Sequence, residues 1–269
     1  VEPWGPERSR HSIMLLHGDG APFVTAFLMS TLSDAVPADH AISVYMAERG
    51  IDVWGIDLSW TTVPVDVPDT DFMADWGVQR DIDDLGVALA TARTARRLTG
   101  NGWRKMHLLG WSRGVWNGFA YLNEESQLPP GHRHVKGFIP VDGWFETDDP
   151  MIQEFECATV ADLQEGYAGG YYADDSGVFL GDVAEAAMAA PDDPVPDTPY
   201  TNFQFALAIG TDSYALFGYP WTYHIVAGVY DEDGLPVGLQ YTPEQLWLDF
   251  MANWAPYQPV LGWIETSAL

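Results

Sequence analysis

Hydrophobic positions in the first half of the chain switch repeatedly between continuous apolar runs and a helical period. Ile13, Met14, Leu15 and Leu16 form a short unbroken run, which predicts a strand buried on both faces. Ile42, Tyr45 and Met46 then share one helical face, with Asp39 placed to cap that helix and Gly50 to stop it. Residues 51–57 predict a second strand. A long helix is predicted from about Asp81, with Leu85, Ala88, Leu89 and Ala92 at i, i+3 and i+4 spacing. Arg93, Arg96 and Arg97 put positive charge near its C-terminus, where the helix dipole favours it, and Gly100 closes it. Residues 106–109 predict a third strand. Val115, Phe119 and Leu122 mark the next helix, and residues 135–141 a fourth strand. Pro140 has no N–H to donate, so it signals the end of that strand or an irregular pairing. Strands alternating with helices in this way predict an α/β fold with a mostly parallel sheet and crossover helices.

After residue 143 the pattern changes. Residues 144–221 are rich in acids, Gly, Pro and aromatics, with short helical stretches, and read as a cap inserted over the sheet. Residues 223–230 are again strand-like. Leu246, Phe250 and Trp254 define an amphipathic helix. The expected organisation is therefore a core at 1–143, a cap at 144–221, and a return segment at 222–269 of one strand and one helix, belonging to core or cap. No internal repeat stands out.

Composition narrows the function classes. The chain has 269 residues and is 47% hydrophobic, enough for one large core or a catalytic domain with a cap. Its 39 acidic and 12 basic residues give a formal net charge of −27. A field of that sign repels phosphate backbones and anionic lipid surfaces, so neither nucleic acid nor membrane is an expected partner. The 12 Trp, 12 Tyr and 12 Phe argue against a disordered acidic chain. A folded protein with a hydrated acidic surface suits a saline or secreted, extracellular setting. No basic segment precedes an apolar stretch at the start, so any targeting segment is expected to lie outside this chain. Cys157 is the single cysteine; it excludes an internal disulfide and a multi-cysteine metal site, and is expected to be a small buried hydrophobe.

The chemistry concentrates after the third strand, at Gly110-Trp111-Ser112-Arg113-Gly114. This is G-x-S-x-G between a strand and a helix. A serine on so tight a turn needs glycine two residues before and after it, because side chains there would collide. Its hydroxyl then projects above the sheet, next to a helix start that favours developing negative charge. Upstream, the first strand runs into His17-Gly18-Asp19-Gly20.

With these two motifs in place, residues 11–143 resemble the α/β-hydrolase superfamily of serine esterases and lipases. The resemblance implies Ser112 as nucleophile and an oxyanion hole made by the backbone N–H groups of Asp19 and Arg113. It makes His17 structural. It also implies the chain order serine, acid, histidine. Two acids are placed for the role: Asp142, which closes the strand after the elbow, and Asp231, in a G-x-x-D pattern. Asp142 is preferred, because Asp231 sits beside Glu232 and Asp233, as in a solvated acidic turn. His132 and His134 precede both acids, in a Pro/Gly-rich loop. His224 is the one histidine after Asp142, and it falls inside a strand-like run, where a core or edge role is expected.

Three accounts of the base stay open. A missing C-terminal segment or a second chain supplies the histidine, together with terminal strands lacking here; His224 acts from a displaced position; or the protein is a relic that binds without cleaving. The expected activity is hydrolysis of a small, apolar, uncharged carboxylic ester. Lactone hydrolysis or acyl transfer at the same site, and non-catalytic binding of an apolar ligand, are the alternatives. No metal or organic cofactor is implied.

Overall fold

The computed structural model describes residues 9, 11–143, 148–212 and 224–267. Its centre is a four-stranded, all-parallel sheet of β1 (His11–Leu16), β2 (Ile51–Ile56), β3 (Met106–Trp111) and β4 (Val135–Val141), in the order β2-β1-β3-β4. Helices α1 (Phe23–Phe27) and α2 (Ile42–Glu48) cross from β1 to β2, α3 (Val78–Leu98) from β2 to β3, and α4 (Arg113–Ser126) from β3 to β4. This is the expected α/β class, with a parallel sheet and crossover helices.

The continuous apolar run of β1 has a plain cause. Met14 and Leu16 face one cluster with Leu85, Leu89, Leu108 and Tyr121, while Ile13 and Leu15 face another with Phe27 and Leu109. Both faces are covered, so period-2 alternation disappears from the sequence. The predicted face of α3 is the buried one: Leu85, Leu89 and Ala92 are fully enclosed. Pro140 is the last residue but one of β4, next to the strand's end as expected. Among the described residues β4 pairs only with β3, and such an edge tolerates the missing N–H.

Three local expectations are corrected. Asp39 does not cap α2; it sits in a short 3-10 turn, Ala38–His40, and the helix starts after Ala41 with no side-chain cap. α3 begins at Val78, before Asp81, because the Glu265 carboxylate accepts the Val78 N–H at 2.6 Å and satisfies an otherwise orphaned donor. Of the run 223–230, residue 223 lies outside the described residues, 224–227 are not strand, and β6 (Gly228–Tyr230) pairs antiparallel with β7 (Pro236–Leu239) in a separate hairpin. That hairpin docks on α7 (Asn202–Thr211), whose Gly210 carbonyl accepts the N–H groups of Ile225 and Val226.

The remaining elements are α5 (Pro150–Ala168), β5 (Ala173–Asp174), α6 (Ser176–Ala189), α8 (Glu244–Ala252), β8 (Gln258–Pro259) and α9 (Val260–Ser267). A second apolar core joins Ala184 and Ala187 of α6, Ala206, Leu207 and Ile209 of α7, and Trp247, Leu248 and Met251 of α8. It draws on both sides of the expected boundary at 221/222. α9 packs against α5, α3 and α4. Cys157, expected to be buried, is exposed on α5. No described helix is long and apolar enough to cross a membrane.

Candidate active site

Parallel strands deliver their C-terminal ends to one edge of a sheet, and three sequence motifs arrive there together. His17 to Gly20 follow β1, Ser112 follows β3 and Asp142 follows β4. Ser112 has φ 52° and ψ −126°, a conformation that costs a non-glycine residue about 1–3 kcal/mol. Its surroundings impose it. The Ser112 N–H donates to the Val141 carbonyl at 3.0 Å, and the Ser112 carbonyl accepts from the Val115 N–H at 2.7 Å. A Cβ on Gly110 would run into the Gly114 carbonyl. One on Gly114 would lie 2.6 Å from the Leu16 carbonyl oxygen and 2.7 Å from that of His17. The glycines thus let the elbow close onto the loop after β1. Gly18 completes that contact, because a Cβ there would lie 2.7 Å from Ser112 Cβ and 3.2 Å from its Oγ. Arg113 is the first residue of α4, and a helix provides no partner for that N–H.

His17 is fully buried. Its Nδ1 lies 2.7 Å from the Gly18 carbonyl, and its Nε2 accepts the Leu58 N–H at 3.2 Å. A carbonyl on one nitrogen and a backbone donor on the other require the neutral Nδ1–H tautomer, and burial lowers the ring's pKa in the same sense. This histidine shapes the loop and has no free nitrogen for proton transfer. Beyond it Gly20 takes φ +63°, the Ala21 N–H donates to the Asp19 carbonyl at 2.7 Å, and the Gly20 carbonyl accepts the Ala255 N–H at 2.6 Å. The Trp254 ring lies where a Gly20 side chain would stand.

Asp142 is exposed and also has a positive φ, 54°. The next residue, Gly143, lies over the start of α4; a Cβ there would stand 2.8 Å from Val115 Cβ and 3.3 Å from the Ser112 carbonyl oxygen. Asp231 is elsewhere. It sits at the tip of the β6–β7 hairpin, where its Oδ1 accepts the N–H groups of Asp233 at 3.0 Å and Leu235 at 2.8 Å. His224 is exposed and precedes β6, outside any strand. His132 and His134 lie before β4, at the edge of the sheet opposite Ser112, where His134 Nδ1 is 2.7 Å from an Arg93 Nη. Of the aromatics expected in the cap, Trp144, Phe145, Tyr214, Phe217, Tyr219 and Trp221 fall outside the described residues.

Sequence reading assigned Asp19 and Arg113 a role through their backbones only. Their side chains belong to a polar cluster that it missed, with Arg113 buried and Asp19 half-buried at its rim. The Arg113 guanidinium lies 3.1 Å from Asp19 Oδ1 and 3.5 Å from Asp81 Oδ2. Asn117 Nδ2 donates to Asp81 at 2.9 Å, and Trp263 Nε1 donates to Asp19 Oδ1 at 2.9 Å. The one legible signal was an acid, Asp81, directly beside the apolar face of α3.

Burial pushes the Asp81 carboxyl up to about 6 from an ordinary 3.8, outweighing the pull of Arg113 and Asn117. A raised carboxyl binds its proton more tightly in the folded chain than in the unfolded one. Its contribution is therefore present below about pH 4 and is lost as pH rises to about 6. The stability of the wild type relative to Asp81→Asn should fall by roughly 2 kcal/mol between pH 4 and pH 7. Urea unfolding of both proteins across that range checks it; a difference that does not change with pH refutes it.

An apolar cavity of about 350 Å³ opens between residues 25–41 and the segment 225–250, lined by Met29, Val36, Ile225, Leu246, Trp247 and Phe250 among others. It does not include Ser112. Among the described residues no group of three or more His, Cys, Asp or Glu is arranged to hold a metal ion.

No protein-family model matches the chain, and no curated protein matches it. Among solved structures it is similar to a lipase-esterase related protein from Clostridium acetobutylicum ATCC 824, at 13% identity and a TM-score of 0.32, over 58% of this chain and 52% of that one. The chain thus spans about half the length of that structure.

Proposed function

We propose that this protein is a serine hydrolase of the α/β-hydrolase type that cleaves a carboxylic ester or a related acyl bond. The observation that carries the reading is the strained Ser112 backbone, φ 52° and ψ −126°, held between β3 and α4 by glycines with no room for a side chain. Ser112 Oγ attacks the ester carbonyl carbon and gives up its proton to a base. The carbonyl oxygen becomes an oxyanion that the N–H groups of Asp19 and Arg113 receive. The C–O bond then breaks, the alcohol leaves with the base's proton, and water repeats the sequence on the acyl-serine. Asp142 orients the basic histidine. His224 is the candidate for that base within these residues, and a further segment or second chain is the alternative source.

The reading extends to the substrate and setting. A net charge of −27 opposes anionic substrates, which favours a small, uncharged, apolar ester, and it suits a secreted protein. A lactone or an acyl transfer would use the same site. One observation favours a second reading, a non-catalytic binder: the apolar cavity beside α1 does not include Ser112.

Exposure to a fluorophosphonate, followed by tryptic mass mapping, separates the two. The hydrolase should carry one adduct, on the peptide of residues 106–113. Native protein that takes up no probe, or takes it up on another peptide, overturns the hydrolase reading.

A further inference from the structure

An oxyanion hole built from two loops has a registration problem. One N–H follows β1 and the other follows β3, 94 residues later in the chain. Donors misplaced by a fraction of an ångström lose much of their effect on the transition state. Pairing of β1 with β3 and the close glycine contacts bring the two loops together, and the remaining adjustment between the two N–H groups needs a tie that reaches both residues.

The side chains of the same two residues are bonded to each other. Arg113 Nη1 donates to Asp19 Oδ1 at 3.1 Å. That oxygen also accepts Trp263 Nε1–H at 2.9 Å, so two donors from different elements fix one carboxylate. On the far side of the guanidinium stands Asp81 of α3, whose Oδ2 is 3.5 Å from Arg113 Nη2. Asp81 is anchored in turn by Asn117 Nδ2 at 2.9 Å. Asn117 lies one turn beyond Arg113 on α4, so the two side chains share a face. α9 closes over the assembly at Gly262, which packs on the guanidinium with no room for a Cβ. The Arg113 and Asp81 side chains are each only 2% exposed.

Buried ions are poor stabilisers. Their desolvation consumes most of what their attraction returns, and apolar residues of the same volume often serve stability equally well. A charge cluster in this place is better explained by geometry than by stability.

Resting on the serine-hydrolase reading, we propose that the Asp19–Arg113 ion pair is a clamp that sets the separation of the two oxyanion-hole N–H groups, with Asp81, Asn117 and Trp263 holding it. The side chains of Asp19, Arg113 and Trp263 are positioning residues for the acyl transfer. The segment after α8 is then part of the catalytic apparatus: it touches the oxyanion loop through Trp263 and through the Ala255 N–H on the Gly20 carbonyl.

The test uses two variants that leave the backbone donors in place. Asp19→Asn removes one charge of the pair, and Trp263→Phe removes only the indole N–H. Each is compared with wild type for kcat and KM on p-nitrophenyl butyrate, for inhibition by butaneboronic acid, whose tetrahedral serine adduct mimics the transition state, and for Tm. Active sites are counted with a fluorophosphonate. A clamp predicts kcat per active site lower by roughly 10- to 100-fold in Asp19→Asn and roughly 3- to 10-fold in Trp263→Phe. KM should stay within about twofold, and boronate affinity should fall in step with kcat. A merely structural role would lower Tm and the count of active sites, leaving kcat per site and boronate affinity at wild-type values. That outcome overturns the clamp, as does a fall in kcat that boronate affinity does not follow. A wild type that neither hydrolyses the ester nor takes up the fluorophosphonate defeats the hydrolase reading itself, and the clamp with it. An active wild type with unaffected variants defeats the clamp alone.

Discussion

Ser112→Ala should remove fluorophosphonate capture completely and lower ester hydrolysis by up to roughly 10⁶-fold in kcat, if the full catalytic set is assembled. What survives would be the contribution of the oxyanion hole and of binding, which do not need the hydroxyl. KM should change little, because the ground-state ester makes no bond to Oγ. A companion variant exploits the strain at this position. Ser112 holds φ 52°, which glycine adopts without penalty, so Ser112→Gly should be as inactive as the alanine variant yet about 1 kcal/mol more stable than wild type. An inactive but stabilised protein would show folding energy stored in the elbow for the sake of the hydroxyl's position. Hydrolysis that persists in Ser112→Ala at wild-type rate would sink the assignment of the nucleophile.

The second large effect is expected at Asp142. Asp142→Asn should lower kcat by roughly 10³- to 10⁴-fold, because an amide in the orienting position favours the wrong tautomer of the base and cannot stabilise its charged form. Asp231→Asn should change kcat by less than about twofold. The two acids differ in where the chain puts them. Asp142 directly follows β4, the strand hydrogen-bonded to β3, and Gly143 after it rests on the first turn of α4. Asp231 ends a hairpin strand docked on α7, and its Oδ1 is engaged by two N–H groups of its own turn. An asparagine oxygen keeps those two bonds, so the hairpin should tolerate the change. Paired kinetics on the two variants decide the matter, and a severe loss in Asp231→Asn with Asp142→Asn unaffected would reverse the assignment.

The contrast between the acids shows why some of the site was legible and some was not. Both satisfied a sequence pattern, an acid after an apolar run. The pattern could not say whether that run would join the parallel sheet. β4 does, because its neighbour β3 is one helix away and a crossover of that length returns the chain alongside. Residues 225–230 do not, because the N–H groups of Ile225 and Val226 are taken by the Gly210 carbonyl and the partner of 228–230 is the next strand in sequence. His224 followed the same course: it read as a strand residue and lies before the strand. The helix expected from Leu246, Phe250 and Trp254 is present as α8, but it ends at Ala252 and buries Trp247, Leu248 and Met251 instead, against α6 and α7 from across an expected boundary.

What the sequence determined alone is the short-range part. The strand–turn–helix around Ser112, the His-Gly loop after β1 and the buried face of α3 all follow from sterics and periodicity within a few residues. The glycines at 110 and 114 are needed because carbonyls at most two turns of chain away, or on the adjacent strand end, occupy the space. What only the tertiary structure decided is the long-range part. Trp263 meets Asp19 across 244 residues, Glu265 caps α3 across 187, and Arg113 pairs with Asp19 across 94. Such contacts leave no periodic trace, because each joins one side chain to a place that exists only after the sheet and both helical layers have closed.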